Sequence, residues 1–275
     1  MFFACCLPVA VSAQKIAVLQ PDKNSNDSAI REKLEILLSE NFNILDDSLA
    51  ETAARSFPDL NLFNLSTDEA KNLGRAIGCD FFIIAKNATL RRESLVKPAY
   101  FESYAVVYLV SSKTGRLVFW RLLSLEAKTS DEAGQKLFAS IETLAVEISA
   151  NIRSAQKKEL SEIALSDLAG LPDENSPEAK NFRPPLPFRR FKPEYTETAN
   201  LYGAAATVDA VLDLDEKGKV SRVEITRWAG YGLDESVEQT IRKMQWRAAE
   251  RNGKPLAIRV LLRYNFKKTE NEDIN

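Results

Sequence analysis

The chain has 275 residues, 45% of them hydrophobic and 28% charged, with a formal net charge of −2, which is the makeup of an ordinary globular protein long enough for two domains with real cores. The near-neutral balance argues against a general nucleic-acid surface, because phosphate binding needs a basic excess on at least one face. Histidine is absent, which removes the commonest general base, the commonest metal ligand and the usual pH switch together.

Met1 to Ala13 is apolar and ends in Val11-Ser12-Ala13 ahead of Gln14, the apolar region and small-residue cleavage site of a secretory signal. It lacks a basic leading region, which a start upstream of Met1 would supply. A membrane anchor is the alternative, with a buried strand behind it, although thirteen helical residues reach only about 20 Å against a bilayer core of roughly 30 Å. A cleaved signal puts the protein in the periplasm, and an uncleaved one tethers it to the inner membrane, the one route to membrane contact. Cys5 and Cys6 leave with the signal, so Cys79 stands alone without a disulfide. A lone thiol before an apolar run is a small buried hydrophobe sooner than a nucleophile.

From residue 14 the pattern reads β-α-β-α-β. Ile16 to Leu19 is a strand buried on both faces, stopped by Pro21. Asn26, Asp27 and Ser28 can cap a helix carrying Ile30, Leu34, Leu37 and Leu38. Phe42 to Leu45 is a second strand, and a short helix from Asp47 or Ser48 runs through Ala54. Ser66 and Glu69 have capping-box spacing for a helix bearing Ala70, Leu73 and Ile77 and ending at Gly78. Phe81 to Ala85 is a third buried strand. Tyr100 to Val110 and Leu117 to Ala127 then form an antiparallel hairpin around Ser112 to Gly115. Thr129 and Glu132 open a long amphipathic helix with Leu137, Ile141, Leu144, Ile148 and Ile152, reaching the region of Leu168 before Gly170 and Pro172. Lys15 to Leu19, Leu73 to Asp80 and Thr114-Gly115 resemble the small α/β domain of the curli-secretion lipoprotein family and of the N-terminus of the Tol-system β-propeller protein. That resemblance implies an envelope-associated domain and no activity.

Residues 173–192 read as a linker, with Pro177, Pro184, Pro185 and Pro187 and no periodicity. Extended, it spans on the order of 60 Å at about 3.1 Å per residue. Its Phe182, Phe188 and Phe191 interleave with Arg183, Arg189, Arg190 and Lys192. The favoured reading docks the aromatics on a neighbouring domain, and the alternative is a nucleic-acid or lipid-headgroup patch.

Residues 193–275 carry a β-β-α-β order. Val208, Ala210, Leu212 and Leu214 alternate with acidic residues, and Asp215 to Gly218 makes a turn. Val223 and Ile225 alternate on the return strand. A helix follows from about Asp234 to Arg247 with Val237, Ile241 and Met244 on one face. Asn252 to Pro255 turns into a last strand, Ile258 to Phe266. This order, with Pro193-Glu194-Tyr195, Val208 to Val220, Leu233 to Trp246, Gly253-Lys254-Pro255 and Val260 to Phe266, resembles the TonB C-terminal domain family. Thr196, Ala206, Met244 and Ala248 stand where that family usually has Pro, Gly, Trp and Pro. The fold expected is therefore a two-domain α+β chain. It combines an α/β layer domain with a mixed sheet (14–172), a linker (173–192) and a TonB-like domain (193–275), after a signal (1–13).

Sites for chemistry are sparse. No phosphate loop is present, and no cofactor or metal site is expected. Asp213, Asp215, Gly218 and Glu224 match four positions of a calcium loop, but Lys217 falls where a ligand oxygen should be and the flanks read as strands, so a hairpin turn is expected. A Ser-Lys dyad from Ser111, Ser112 and Lys113 is disfavoured because Lys113 would be solvated at a turn. Trp246 beside Arg242 and Arg247 reads as core sooner than as a cation–π site. No catalytic residues are assigned, and the chain is expected not to be an enzyme. The TonB resemblance implies an edge strand that accepts an extended peptide from an outer-membrane transporter. The strand expected to do so is the last one, through Ile258, Arg259, Val260, Leu261, Leu262, Arg263, Tyr264, Asn265 and Phe266, with Arg259, Arg263 and Lys267 exposed and selecting an acidic peptide. Energy transduction in that family also needs an anchor and a long proline-rich spacer. The alternative function is a structural or assembly component of a secretion or cell-wall complex acting through the N-terminal domain.

Overall fold

The computed structural model describes residues 14–21, 25–93, 98–161, 168–173 and 175–267. The expected signal (1–13) with Cys5 and Cys6, the side chains of Asn26 and Asp27, and the stretch of the long helix toward Leu168 that falls at 162–167 lie outside the described residues.

The N-terminal half is a five-stranded mixed sheet. Strands β1 (Lys15–Leu19) and β2 (Asn43–Ile44) flank helix α1 (Ser25–Ser39), and helices α2 (Asp47–Arg55) and α3 (Thr67–Ile77) precede β3 (Phe81–Arg92). Strands β4 (Tyr100–Ser111) and β5 (Leu117–Ala127) form the expected hairpin, and α4 (Ser130–Ser161) closes the half. The order is β2-β1-β3-β4-β5, with β1 parallel to β2 and β3 and the rest antiparallel. Period-2 alternation sends Ile16, Val18, Phe81, Ile83, Val107 and Leu109 to one face, against Leu34, Leu38, Ile141, Leu144 and Ile148. Ala17, Leu19, Phe82, Ile84, Val106 and Tyr108 go to the other, against Ala50, Ala70 and Leu73. Both faces are therefore dry, which is why these strands read as unbroken apolar runs. β3 extends well past the expected Ala85, because its polar half from Lys86 is held by its pairing to β4 as far as Arg92↔Tyr100.

The capping box of Ser66 and Glu69 forms as expected, and α3 ends on Gly78 in the left-handed conformation. Gly74 lets α3 press on the β4–β5 turn, since a Cβ there would lie 2.3 Å from Ser112 Oγ. The Cys79 Sγ lies 3.3 Å from that hydroxyl. Burial pushes the Cys79 thiol up to about 11, the mark of an inert core sulfur. Gly115, at φ +70°, touches the Thr67 backbone so closely that a Cβ would sit 1.9 Å from its carbonyl oxygen. Gly115→Ala is expected to lose about 1–3 kcal/mol. An unchanged urea midpoint would show that the turn can move away from α3.

The segment expected to be a linker is ordered onto the C-terminal half. After a 3-10 turn at Pro177–Ala179, β6 (Phe182–Arg183) and β7 (Leu186–Pro187) lead into α5 (Glu197–Leu201), a helix capped by Thr196 Oγ1. Strands β8 (Ala206–Leu214) and β9 (Val220–Arg227) are joined by the Asp215–Gly218 turn, with Gly218 at φ +76°. Asp215 accepts from the Lys217 and Lys219 N–H groups, so the acidic set is a hairpin turn. Helix α6 (Leu233–Lys243) is followed by β10 (Trp246–Arg247), β11 (Ala249–Arg251), β12 (Lys254–Leu256) and β13 (Ile258–Phe266). α6 does not run to Arg247, because Met244 is extended and Trp246-Arg247 pair with Pro187 and Leu186 of β7. β11 pairs with both β12 and β6. Asn252 and Gly253 both have positive φ, as a two-residue hairpin of the twist-matched kind requires. The main sheet is β13-β8-β9. Its inner face packs Val208, Ala210, Leu212, Val260 and Phe266 against Leu233, Val237 and Ile241 of α6.

The two halves share one core. Trp228, Ile225 and Tyr231 pack in the N-terminal half's cluster beside Tyr108 and Leu65. Trp228 Nε1 donates to the Gly115 carbonyl at 3.2 Å, and Tyr108 OH donates to the Ala229 carbonyl at 2.9 Å. The Asn64 amide donates to the Thr207 and Trp228 carbonyls, and its oxygen accepts from Thr207 N. Glu102, nearly fully buried, accepts from Arg92, Ser124 and Tyr202. Burial alone would raise its pKa, but those three hydrogen bonds outweigh it and hold the carboxyl below its usual value.

Candidate peptide-docking edge

β13 is an edge strand, bonded to β8 on one side along its whole length from Ile258↔Leu214 to Phe266↔Ala206. Antiparallel strands aim the N–H and C=O groups of alternate residues to opposite sides. The Arg259 N–H points away from β8, since it donates to the Ala169 carbonyl at 3.0 Å. By the same period Leu261, Arg263 and Asn265 also aim their backbone groups outward. Among the described residues no backbone bond of theirs runs outward. All three side chains are exposed, Leu261 by 56%. The remaining residues named from the sequence, Ile258, Val260, Leu262, Tyr264 and Phe266, face α6 and carry the core side of the same strand.

The expected role of the arginines needs correction. Arg259 makes two bonds to Asp213, at 2.7 and 3.0 Å, and Arg263 makes two to Asp209, at 2.7 and 2.8 Å. These are directly opposed pairs in the β13–β8 register. Asp209 is also 3.5 Å from Arg227, which bonds Glu69 of the N-terminal half. Arg259 and Arg263 are thus spent on the acidic residues of β8 and do not offer free charge to an acidic peptide. Lys267 remains exposed at the strand's end.

Beside the edge lies a groove of about 370 Å³. Leu262, Arg263 and Tyr264 border it, and three consecutive strand residues reach one groove only where the backbone edge itself faces it. Its other walls are Pro185, Leu186, Pro187 and Phe191 from the segment expected to be a linker, with Met244 and Trp246 at the end of α6. The sequence offers Phe191 a binding role only in the alternative nucleic-acid or lipid-headgroup patch and Trp246 only in the disfavoured cation–π site, and offers Pro185, Leu186, Pro187 and Met244 none. Trp246 is core, as expected, and its Nε1–H is buried without a hydrogen-bond partner.

A second cleft, of about 590 Å³, separates the two halves where the outer edges of β5 (Leu117 to Trp120) and β9 (Arg222 to Ile225) face each other. The Arg116–Glu224 ion pair bridges it at 2.8 Å. Asp234 borders it and accepts from Ala229 N and Gly230 N, both at 2.9 Å. Burial pushes the Asp234 carboxyl up to about 7 against those two donors. Among the described residues no group of three or more Cys, Asp or Glu side chains is arranged to hold a metal, and no helix is long and apolar enough to cross a membrane.

These features define an α+β protein whose C-terminal sheet offers one backbone edge beside an apolar groove. Residues 192–267 match the family model described as the C-terminal of the Gram-negative bacterial TonB protein, and this part of the chain is a TonB C-terminal domain. The solution structure of the Pseudomonas aeruginosa TonB C-terminal domain is similar at 19% identity over 37% of this chain and 95% of that one, with a TM-score of 0.28. Lipoprotein GNA1162 from Neisseria meningitidis is similar at 14% identity over 48% of this chain and 98% of that one, with a TM-score of 0.32. The LpoB C-terminal domain from Salmonella enterica is similar at 15% identity over 42% and 86%, with a TM-score of 0.28. No curated protein matches the chain.

Proposed function

We propose that this is a non-enzymatic periplasmic protein of the cell envelope that binds an extended segment of a partner protein by strand addition to β13. The TonB C-terminal match at 192–267 supports the envelope setting and the protein-binding class. The observation that carries the reading is the outward row of Leu261, Arg263 and Asn265, which lacks described backbone partners. Each added backbone bond nets only about 0.5–1.5 kcal/mol, so several must form together and side chains must contribute. A peptide from an outer-membrane transporter is the partner that the family resemblance implies. A long free spacer for energy transduction is not supported, because Phe182–Arg183 and Leu186–Pro187 lie in strands.

Leu261→Pro tests the reading. It removes an outward N–H, breaks no β8 ladder bond, and is tolerated at an edge. With the full chain, amide NMR shifts at 261–265 are expected on addition of a transporter-derived extended peptide, and the variant is expected to lose them while keeping its melting temperature. Equal shifts in wild type and variant would place the peptide elsewhere.

A further inference from the structure

We infer that the loop Phe188–Lys192 is a contact site for an anionic phospholipid bilayer, with the rings of Phe188 and Phe191 entering the headgroup layer and Arg189, Arg190 and Lys192 meeting its phosphates. The inference goes beyond strand addition and does not depend on it. Of the three phenylalanines interleaved with basic residues, only Phe182 packs against the C-terminal core. Phe188 is 72% exposed, and Phe191 is exposed too. A loose backbone is not the cause, because the loop is fastened at both ends. Pro187 pairs with Trp246, Phe188 N donates to the Gln245 carbonyl at 2.9 Å, and Pro193 is buried. Two large rings are thus held in water, where their apolar area is unfavourable. A ring on a fixed backbone also loses little further freedom when a surface covers it.

Charge names the surface. From Ala179 to Pro193 the chain carries Lys180, Arg183, Arg189, Arg190 and Lys192 and no acidic residue, although its net charge is −2. Arg183 is taken by Glu250. Arg189, Arg190 and Lys192 are exposed and make no ion pair among the described residues. The Arg189 guanidinium lies 5.1 Å from the centre of the Phe191 ring, so cation and ring are presented together. Exposed rings among unpaired cations are the makeup of an interfacial membrane contact, where apolar area enters the headgroup boundary and cations meet anionic lipid. A nucleic acid asks for a longer track of cations. Beside Arg190 and Phe191 that track stops at β13, whose Arg259 and Arg263 are already paired with Asp213 and Asp209.

Vesicles of phosphatidylcholine, with or without about three parts in ten of phosphatidylglycerol, test this on the full chain. In Phe188→Trp, brominated acyl chains in the anionic vesicles are expected to quench fluorescence beyond the wild-type level. In Leu49→Trp, at a position of the N-terminal half that is 71% exposed, they are expected not to. Adding Arg189→Ser and Arg190→Ser to Phe188→Trp is expected to raise the lipid concentration for half-maximal quenching at least about tenfold, since each cation near such a surface is worth roughly fivefold. Adding Phe191→Ser instead is expected to raise it at least about threefold. High salt is expected to act in the same direction as removing the arginines. Quenching in neither tryptophan variant, or equally in both, overturns the inference. Quenching of Phe188→Trp that ignores the arginines, or that is unchanged without phosphatidylglycerol, overturns it too. A single-stranded oligonucleotide that binds more tightly than the anionic vesicles, and depends on Phe188 and Phe191, would assign the loop to nucleic acid instead.

Discussion

Replacing Trp228 with alanine is expected to cost about 3–5 kcal/mol, the usual range for emptying a fully buried aromatic site. Trp228 is 1% exposed and comes from the C-terminal half, yet it lies in the core beneath the N-terminal sheet. Its ring is 5.6 Å from that of Tyr108, its indole N–H reaches the Gly115 carbonyl, and its backbone N–H reaches Leu65. The substitution removes the ring and leaves the Gly115 carbonyl without that donor. A loss of this size is a large share of the 5–15 kcal/mol typical of folded domains. It is also expected to separate the unfolding of the two sheets, visible as faster hydrogen exchange in 206–227 than in 81–110. A single transition with an unchanged urea midpoint would show that the halves hold together without Trp228.

The second large effect is a pH dependence from Asp234. The carboxyl moves from 3.8 in the unfolded chain to about 7 in the fold, driven by burial and opposed by the Ala229 and Gly230 N–H groups. A raised folded value means the folded state holds the proton more tightly. Its contribution to stability is full below about pH 4, declines as pH rises, and is lost once pH passes about 7. The displacement corresponds to at most about 4 kcal/mol. Glu69 and Glu102 are shifted downward and act in the opposite sense, so the contribution is read as a difference between two chains. Asp234→Asn is expected to be less stable than wild type at pH 4.5 and to close that gap by pH 8. A gap that widens with pH would mean the two N–H groups outweigh burial and keep the carboxylate charged.

Asp234 and Trp228 act on one loop. Ala229 and Gly230, held by the Asp234 carboxyl, follow Trp228 directly, and a Cβ at Gly230 would meet the Tyr108 ring at 2.7 Å. The charge state of Asp234 therefore acts on the same loop through which Trp228 reaches the N-terminal core.

Much of the fold was legible because its causes are local. An unbroken apolar run located β1, period-2 runs located β8 and β13, and the 3.6-residue spacing of Leu137, Ile141, Leu144 and Ile148 located α4. Ser66 with Glu69, Gly78, Gly218 and Asn252-Gly253 marked their boundaries through backbone requirements that neighbouring residues cannot override. α6 was read four residues too long because Trp246 and Arg247 continue its polarity pattern, while β7 captures them as a strand. The edge strand was legible in order and alternation. Its charge was not, because Arg259 and Asp213 are 46 residues apart and only the register of β13 on β8 makes them partners.

The sequence by itself determined the main N-terminal elements, the β8–β9 hairpin, the place of α6 and the last strand, and with them the TonB-like order at the C-terminus, since each depends on residues within a few positions of one another; the short strands β6, β7 and β10 to β12 and helix α5 were not among them. The tertiary structure alone decided that Phe182–Arg183 and Leu186–Pro187 pair with the C-terminal half, that the β13 arginines are paired with the acidic residues of β8, and that Trp228 packs in the N-terminal half's core. Those outcomes depend on contacts across tens to more than a hundred residues, where hydrophobic or charged character permits many partners and only packing in three dimensions selects one.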